Sequence, residues 1–176
     1  TTQTLSPGAE INVHAGTIAN GTLATDGPVF VSGNATLDAT FTGSGSSARL
    51  WINASSGSTV YLGGSNDRVY TPDHNQVIIG YSGVPTVKLL SSTALAAATE
   101  NVEIRTGTLD LNGQTAVRAN ALVLKSGASS ALVNSSAAAA SYAGGVTLAT
   151  GSAQLGGSGH LTLSGILSGT GGFTKI

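Results

Sequence analysis

The feature that most constrains this chain is a long series of short segments in which apolar and polar residues alternate. Gly, Asn or Ser bounds each segment, and each offers only a few aliphatic side chains for burial. Alternation with a period of two predicts β-strands, and strands this short are not stable alone. The chain must therefore stack many of them on one another. The predicted strands are Glu10–His14, Val29–Ser32, Ala35–Phe41, Arg49–Asn53, Thr59–Leu62, Val77–Tyr81, Thr86–Leu90, Val102–Arg105, Thr108–Leu111, Leu122–Lys125, Ala131–Asn134, Val146–Ala149, His160–Leu163 and Phe173–Lys175.

The second half of the chain repeats one local plan, an apolar–polar–apolar triplet followed by a turn of small residues or Asn. The copies are GTLDLNGQ (107–114), NALVLKSG (120–127), GVTLATGS (145–152) and GHLTLSG (159–165). Their unequal spacing indicates a degenerate repeat with loops of different lengths. Stacked triplets with Gly and Asn corners are typical of a β-solenoid, in which each coil contacts only its neighbours.

These observations predict an all-β protein that folds as a parallel β-solenoid. At about 20–25 residues per coil and about 4.8 Å per rung, the chain makes roughly seven or eight coils. Residues 54–176 are predicted to form the solenoid repeat region, and residues 1–53 an N-terminal β region that acts as a cap or an inter-subunit strand. The Ala-rich stretches 91–105 and 135–145 are ambiguous between strand and a single helical turn. The residues predicted to point inward are Leu109, Leu111, Leu122, Leu124, Val146, Leu148, Leu161 and Leu163.

Charge and composition narrow the classes of partner. Only 9% of residues are charged and the net charge is −1, so we expect no nucleic-acid partner. No apolar run is long enough to span a bilayer, so we expect no membrane insertion of this segment. There is no Cys, which leaves no disulfide framework and no thiolate metal site. Met is absent too, which predicts a chain that starts after processing or an excised piece.

The richest polar cluster lies in NDRVYTPDH (66–74). One interpretation is a ligand loop, because two carboxylates in a loop can supply the oxygen ligands that Ca²⁺ prefers. The other interpretation, which we favour, is a solvated loop in which the arginine pairs with one of the two aspartates. The residues of this possible ligand loop are Asp67, Arg68, Tyr70, Asp73 and His74.

No set of residues in the sequence has the spacing of a catalytic or metal site. His14, His74 and His160 lie in separate segments, and neither HExxH nor GxSxG occurs. GGSNDRVYT (63–71) and GGSGHLTLS (156–164) both depart from the Ca²⁺-binding nonapeptide at a ligand position. The acidic group Glu100, Glu103 and Asp110 is expected on different faces of a rung, which does not suit glycoside cleavage. We therefore predict no catalytic residue, no cofactor and no bound metal.

The aromatic residues and the glycosylation-like triplets are weaker signals. An exposed aromatic row could stack on sugars, although core and interface packing are the commoner uses. The Asn-x-Ser/Thr triplets are expected by chance in a chain this rich in Ser and Thr. The aromatic residues are Phe30, Phe41, Trp51, Tyr61, Tyr70, Tyr81, Tyr142 and Phe173, and the triplets begin at Asn20, Asn34, Asn53 and Asn134.

Several short motifs, each too unspecific to indicate a family alone, follow one another between residues 59 and 176. They are TVYLGGSN (59–66), SSTAL (91–95), GTLDLNGQT (107–115), ALVNSSAAAASYAG (131–144) and GGSGHLTLSGILSGTGGFTKI (156–176). In this order they resemble the autotransporter-associated β-strand repeat of very large bacterial surface proteins. The resemblance implies a right-handed β-helix that is exported, exposed at the cell surface and not enzymatic. Residues 66–85 carry more charge and Pro than a usual rung, and the GxGTLxL rung that normally follows GGFTKI is missing.

The last rung, GGFTKI (171–176), has no polar or helical cap, and a free strand edge is a template for another chain. The opposite end offers EINVHAGTI (10–18) as a strand. We therefore expect head-to-tail association by strand addition, which propagates into a fibre because the contact is heterologous. The residues expected at this inter-subunit contact are Ile11, Val13, Ile18, Phe173 and Ile176.

The sequence thus predicts a non-enzymatic structural protein of the bacterial cell surface. In this hypothesis it is a subunit of an extracellular filament or sheath, its partner is itself, and its signal peptide has been removed. The alternative is an adhesin passenger fragment of a larger autotransporter-like protein, with surface glycans or other cells as partners. A carbohydrate-active β-helix enzyme is the least favoured hypothesis, because such enzymes carry more charge and more exposed aromatic residues.

Overall fold

In a computed structural model, the chain is built from short β-strands joined by turns. The structure describes residues 2–4, 8–70, 75–97, 99–125 and 129–176, and among these there is no α-helix. In chain order the first strands are β1 (Thr2–Thr4), β2 (Ile11–Val13), β3 (Gly16–Ala24), β4 (Val29–Val31), β5 (Ala35–Thr42), β6 (Ser44–Gly45), β7 (Leu50–Ile52), β8 (Thr59–Leu62), β9 (Ser65–Asn66), β10 (Val69–Tyr70) and β11 (Asn75–Ile79). The remaining strands are β12 (Thr86–Leu89), β13 (Asn101–Ile104), β14 (Gly107–Asp110), β15 (Leu122–Leu124), β16 (Ser130–Val133), β17 (Ala140–Tyr142), β18 (Val146–Leu148), β19 (Ser152–Gly156), β20 (Leu161–Leu163), β21 (Leu167–Gly169) and β22 (Gly172–Lys175).

Two parallel sheets run the length of the molecule. The first sheet has the order β1-β3-β5-β8-β12-β14-β16-β19-β22, with β9 also paired to β5. The second sheet has the order β2-β4-β7-β11-β13-β15-β18-β21. The pairs β6–β10 and β17–β20 lie on the stretch of each coil that leads from the first sheet back to the second. The molecule is a parallel β-helix of about 7 turns, and the predicted fold class is confirmed.

Paired residues of successive strands form columns along the solenoid. The register fixes one column in each sheet, because side chains at paired positions point to the same face. In the second sheet the column is Ile11, Val29, Leu50, Val77, Val102, Leu122, Val146 and Leu167. In the first sheet it is Gly16, Ala35, Val60, Val87, Leu109, Leu132, Leu155 and Lys175.

These columns build the hydrophobic core. Six of the residues predicted to point inward, from Leu109 to Leu148, are buried. Leu161 and Leu163 are only half-buried, although both pack against the core. Their strand, β20, pairs with β17 on one side, and no described strand pairs with its other edge. Burial of an inward residue therefore requires a neighbouring coil on both sides.

The two sheets continue without a break across residue 53. β7 pairs with β11, and β5 pairs with β8, so strands from either side of this position share the same sheets. The described residues before and after position 53 thus belong to the same sheets. The role of residues 1–53 as a cap or an inter-subunit strand stays a prediction. Within this region, Glu10–Ile18 forms parts of two strands, β2 and β3, which meet at a corner.

Corners between strands use glycine and asparagine for different reasons. Gly80 has a φ of +72°, and a Cβ at this position would lie 1.9 Å from the carbonyl oxygen of Thr106 in the next coil. Only glycine fits this close approach. Asparagines instead link coils. The side-chain oxygen of Asn34 accepts a hydrogen bond from the Thr59 N–H at 2.8 Å, and that of Asn53 accepts one from the Tyr81 N–H at 2.7 Å.

Candidate functional sites

The segment predicted as a possible ligand loop forms two short strands of the solenoid. β9 pairs with β5, and β10 pairs with β6. Asn66, Arg68 and Tyr70 are buried, whereas the alternating neighbour Asp67 is exposed. The strand period therefore continues through this segment, with polar residues on the inward positions. Asp73 and His74 lie outside the described residues.

Arg68 is fully buried, and its guanidinium group bonds to groups inside the coil. Its Nη1 donates to the carbonyl oxygen of Gly27 at 3.1 Å, and its Nε donates to Oδ1 of Asn66 at 3.4 Å. The ring of Phe41 lies 5.7 Å away, within the range of a cation–π contact. Burial lowers the pKa of Arg68 to about 10, so the group is still charged at neutral pH. The arginine thus stabilises carbonyl and amide groups of the core.

A small cavity lies beside this arginine. Its volume is about 10 Å³, which is at the lower limit for a single water molecule. Mostly apolar residues surround it, and the polar groups facing it come from Asn66 and Arg68. The space is too small for an organic ligand, so the interior of these coils does not form a binding pocket for one.

Asn66 and Gln76 form a reciprocal amide pair between neighbouring coils. Nδ2 of Asn66 donates to Oε1 of Gln76 at 3.2 Å, and Nε2 of Gln76 donates to Oδ1 of Asn66 at 3.0 Å. Nδ2 of Asn66 also donates to the carbonyl oxygen of Leu95 at 2.9 Å. Both side chains are buried, and such groups are tolerated in a core when they are hydrogen-bonded. The sequence analysis did not identify either residue as part of the core.

Arg118 joins three successive coils. Its Nη1 donates to the carbonyl oxygens of Asn66 at 3.1 Å and Ala96 at 3.0 Å, and its Nη2 lies 2.6 Å from Oδ1 of Asp67. The predicted Asp67–Arg68 pair is therefore not the one that forms. Burial alone would raise the pKa of Asp67, but the hydrogen bonds from Ser65 and Arg118 and the arginine's charge hold it below its usual value. The carboxylate of Asp67 thus forms a salt bridge with Arg118.

An aromatic stripe, made of Phe30, Trp51 and Tyr81, lies on the outer face of the second sheet. The rings of Phe30 and Trp51 are stacked, with centroids 6.3 Å apart, and Tyr81 meets Trp51 edge-on at 5.9 Å. The guanidinium of Arg105 lies 4.9 Å from the Tyr81 ring, and that of Arg49 lies 5.5 Å from the Trp51 ring. Each of the three rings therefore contacts another ring or a guanidinium group, which favours a packing role over stacking on sugars.

The acidic residues considered for glycoside cleavage lie apart from one another. Glu103 is in β13 of the second sheet and Asp110 is in β14 of the first. Oε1 of Glu103 lies 2.5 Å from Nε of Arg105, and Asp110 accepts hydrogen bonds from the N–H groups of Asn112 and Ser135. Glu100 accepts a hydrogen bond from the Tyr70 N–H at 3.1 Å. Each carboxylate is thus used in a separate local contact.

The histidines are also separate. His14 is exposed, and its Nδ1 lies 2.8 Å from Oγ of Ser32, while His160 is exposed at the other end of the chain. In the part of the chain that the structure describes, no group of three or more His, Asp or Glu side chains could hold a metal ion. Nor does any described helix have the length and hydrophobicity needed to cross a membrane.

The residues predicted at an inter-subunit contact lie at the two ends of the solenoid. Val13 is buried, and Ile11 and Ile18 are half-buried in the first coil. Phe173 and Ile176 are exposed at the other end, together with Ile166 and Leu167, which the sequence analysis did not name. The half-buried Leu161 and Leu163 line the same open cavity at this end as Phe173 and Ile176. The last coil, β21 and β22, thus presents an apolar surface.

No protein-family model matches this chain, and neither a curated protein nor a solved structure is significantly similar to it.

Proposed function

We propose that this chain is a structural β-solenoid segment of a bacterial cell-surface protein, exported and extracellular, which assembles head to tail by adding the first coil of one copy to the last coil of another. One observation carries the proposal. Leu167 is 41% exposed and Phe173 is 53% exposed, although both occupy positions that are buried in the preceding coil. An apolar surface of this kind gains free energy when another coil covers it.

The backbone at this end can accept a strand. Gly172 and Ile176 donate their N–H groups to carbonyl oxygens of the preceding coil, at 2.7 Å and 3.1 Å. Because alternate residues of a strand bond to opposite neighbours, the backbone groups of Phe173 and Lys175 face the free edge. β21 and β22 both have such an edge in the described part of the molecule. Strand addition would satisfy these groups in both sheets at once.

The opposite end has matching free edges. β2 is the outermost strand of the second sheet, and β1 pairs with β3 only from Thr22 to Ala24, which leaves 16–19 without a described outer partner. If the columns continue into a second copy, Leu167 lies on Ile11 and Lys175 lies on Gly16. Nothing lies within 4 Å of a Cβ built on Gly16, so this end has room for the lysine stem.

A cysteine pair tests both the contact and its register, because the natural chain has no cysteine. Ser168 and Asn12 are exposed and occupy equivalent positions on the outer face of the second sheet. In the proposed register, a disulfide between Ser168→Cys of one copy and Asn12→Cys of the next is within reach. We expect oxidised ladders of dimers, trimers and longer chains, which reduction dissolves.

The matched control is Ser168→Cys with Glu10→Cys, which moves one cysteine two residues along the strand. In the proposed register, the Cα atoms of these two cysteines lie about 8 Å apart, which exceeds what a disulfide spans. Equal cross-linking of both pairs would contradict the register. Electron microscopy and sedimentation of the intact chain test the assembly itself, and deletion of residues 1–18 should abolish it. A chain that stays monomeric at high concentration, or a truncated chain that forms the same filaments, would contradict the proposal.

A further inference from the structure

Two asparagines of this chain stand directly before a glycine. They are Asn20, before Gly21, and Asn112, before Gly113. Glycine offers no side chain to hinder attack of its own backbone nitrogen on the preceding side chain, and its backbone is flexible. Asn–Gly is therefore the sequence at which an asparagine most readily loses its amide. The two sites share this sequence but differ in structure.

Asn20 lies at an irregular point of β3. The pairing of β3 with β5 shifts between Ala19 and Thr22, so Asn20 and Gly21 have no partner residue in β5. β1 provides none either, since its register with β3 starts at Thr22. Both residues are exposed and have positive φ, 61° for Asn20 and 140° for Gly21. No described residue forms a hydrogen bond with the Asn20 side chain, so its amide is free to rotate towards the backbone.

At the Asn112–Gly113 site, hydrogen bonds hold both groups that would react, the side chain of Asn112 and the backbone nitrogen of Gly113. Its Nδ2 donates to the carbonyl oxygen of Leu89 at 2.9 Å, which fixes the side chain towards the neighbouring coil. The nitrogen that would attack, that of Gly113, donates its proton to Oδ1 of Asn134 at 2.9 Å. Both contacts must break before the two groups can react, so local opening of the coil has to precede the reaction.

We propose that Asn20 is a site of spontaneous deamidation in the folded protein and that Asn112 is protected. The Gly21 nitrogen, having lost its proton to hydroxide, bonds to the side-chain carbonyl carbon of Asn20. The bond from that carbon to the amide nitrogen breaks, and the nitrogen leaves as ammonia. Water then opens the resulting cyclic imide at either carbonyl, which gives aspartate or isoaspartate.

The reaction consumes one water, releases one ammonia and adds one negative charge. The charge appears beside Asp38, which pairs with Ala19 in β5. The isoaspartate product also lengthens the backbone of β3 by one carbon. Since the register of β3 is already irregular at this point, the insertion can be accommodated without moving a residue of the core columns.

Peptide mapping by mass spectrometry tests the proposal on the intact folded chain kept at mildly alkaline pH. We expect aspartate and isoaspartate to accumulate at position 20, with Asn112 reacting at least about tenfold more slowly, the factor given by about 1.4 kcal/mol of opening free energy. The variant Asn20→Gln should remove the product at position 20. In urea, where the hydrogen bonds are lost, both sites should react at similar rates. Equal rates in the folded chain, or a difference that persists in urea, would overturn the proposal.

Discussion

The strands of the last coil pair residue by residue with those of the coil before it, but the two coils differ in burial. Val146 and Ala153 of the preceding coil are 2% and 1% exposed, whereas Leu167 and Phe173, which pair with them, are 41% and 53% exposed. The difference is one neighbouring coil. In a solenoid, an apolar triplet therefore does not make its own core, because each coil is covered by the next one.

The strongest test of this difference compares one leucine from each region. Leu109 lies in the middle of its column and is fully buried, so Leu109→Ala should lower the free energy of unfolding by about 2–5 kcal/mol. Leu167→Ala, in dilute monomeric protein, should cost less, about 1 kcal/mol, because Leu167 is already 41% exposed and its truncation leaves no enclosed cavity. Urea unfolding measures both. Equal costs would mean that the last coil is as well covered as the interior.

A second test compares hydrogen bonds between coils in the two regions. Asp110 is buried, and its Oδ1 and Oδ2 accept hydrogen bonds from the N–H and the hydroxyl group of Ser135, at 3.0 Å and 2.5 Å. Asp110→Ala removes a buried carboxylate that accepts these hydrogen bonds and should cost about 2–3 kcal/mol, because hydrogen bonds to a charged group are the stronger ones. The exposed bond between Ser152 and Thr174, 2.9 Å long, is the matched control. Ser152→Ala should change stability by less than about 0.5 kcal/mol. A larger loss from Ser152→Ala than from Asp110→Ala would contradict the comparison.

A third test sharpens the role of the last coil. Lys175 ends a column of aliphatic residues, so its stem lies on the inward face beneath Leu155. An inward charge at a free edge opposes the addition of another strand. Lys175→Leu should lower the concentration needed for assembly by about tenfold, since it replaces the cost of covering an ammonium group with apolar burial. Light scattering across a dilution series measures this, with Thr174→Ser on the outer face as the control. An unchanged midpoint would mean that coils do not stack on this column.

The smallest effect is expected in the pH dependence of stability. Burial alone would raise the pKa of Asp110, but the hydrogen bonds from Ser135 and Asn112 and the charge of Lys88 hold it below its usual value. A carboxyl with a lower pKa in the folded state stabilises fully above its unfolded pKa of about 4, and this contribution is lost as pH falls through the folded pKa. Asp110→Asn should therefore lose less stability than the parent on acidification below about pH 4. Acid unfolding curves that run parallel would contradict this.

The sequence predicted the aliphatic part of the fold because each triplet shows its own period. Val146 and Leu148, for example, alternate with the polar Thr147 and are followed by a turn of small residues. The same period runs through Asn66, Arg68 and Tyr70, but polar inward residues hide it. Their satisfaction depends on partners such as Gly27 and Gln76 in other coils, and a local pattern contains no information about them.

The free ends were predictable for a different reason. The apolar residues Phe173 and Ile176 are visible in the sequence, so an apolar surface on the last described coil was expected. The exposure of Ile166 and Leu167 was not, because the strand β21 was not recognised. Its segment GILSG lacks the second aliphatic residue of the other triplets, since Gly169 takes the place that Leu148 has in the coil before.

Amide hydrogen exchange within β22 tests most directly whether the last coil is completed by a second copy. The N–H groups of Phe173 and Lys175 face the free edge, while that of Ile176 donates to the carbonyl oxygen of Leu155 at 3.1 Å and serves as an internal reference. In dilute protein, Phe173 and Lys175 should exchange rapidly and Ile176 more slowly. At concentrations where larger species form, the exchange of Phe173 and Lys175 should slow to that of Ile176. Exchange at Phe173 and Lys175 that stays fast at every concentration would contradict head-to-tail strand addition.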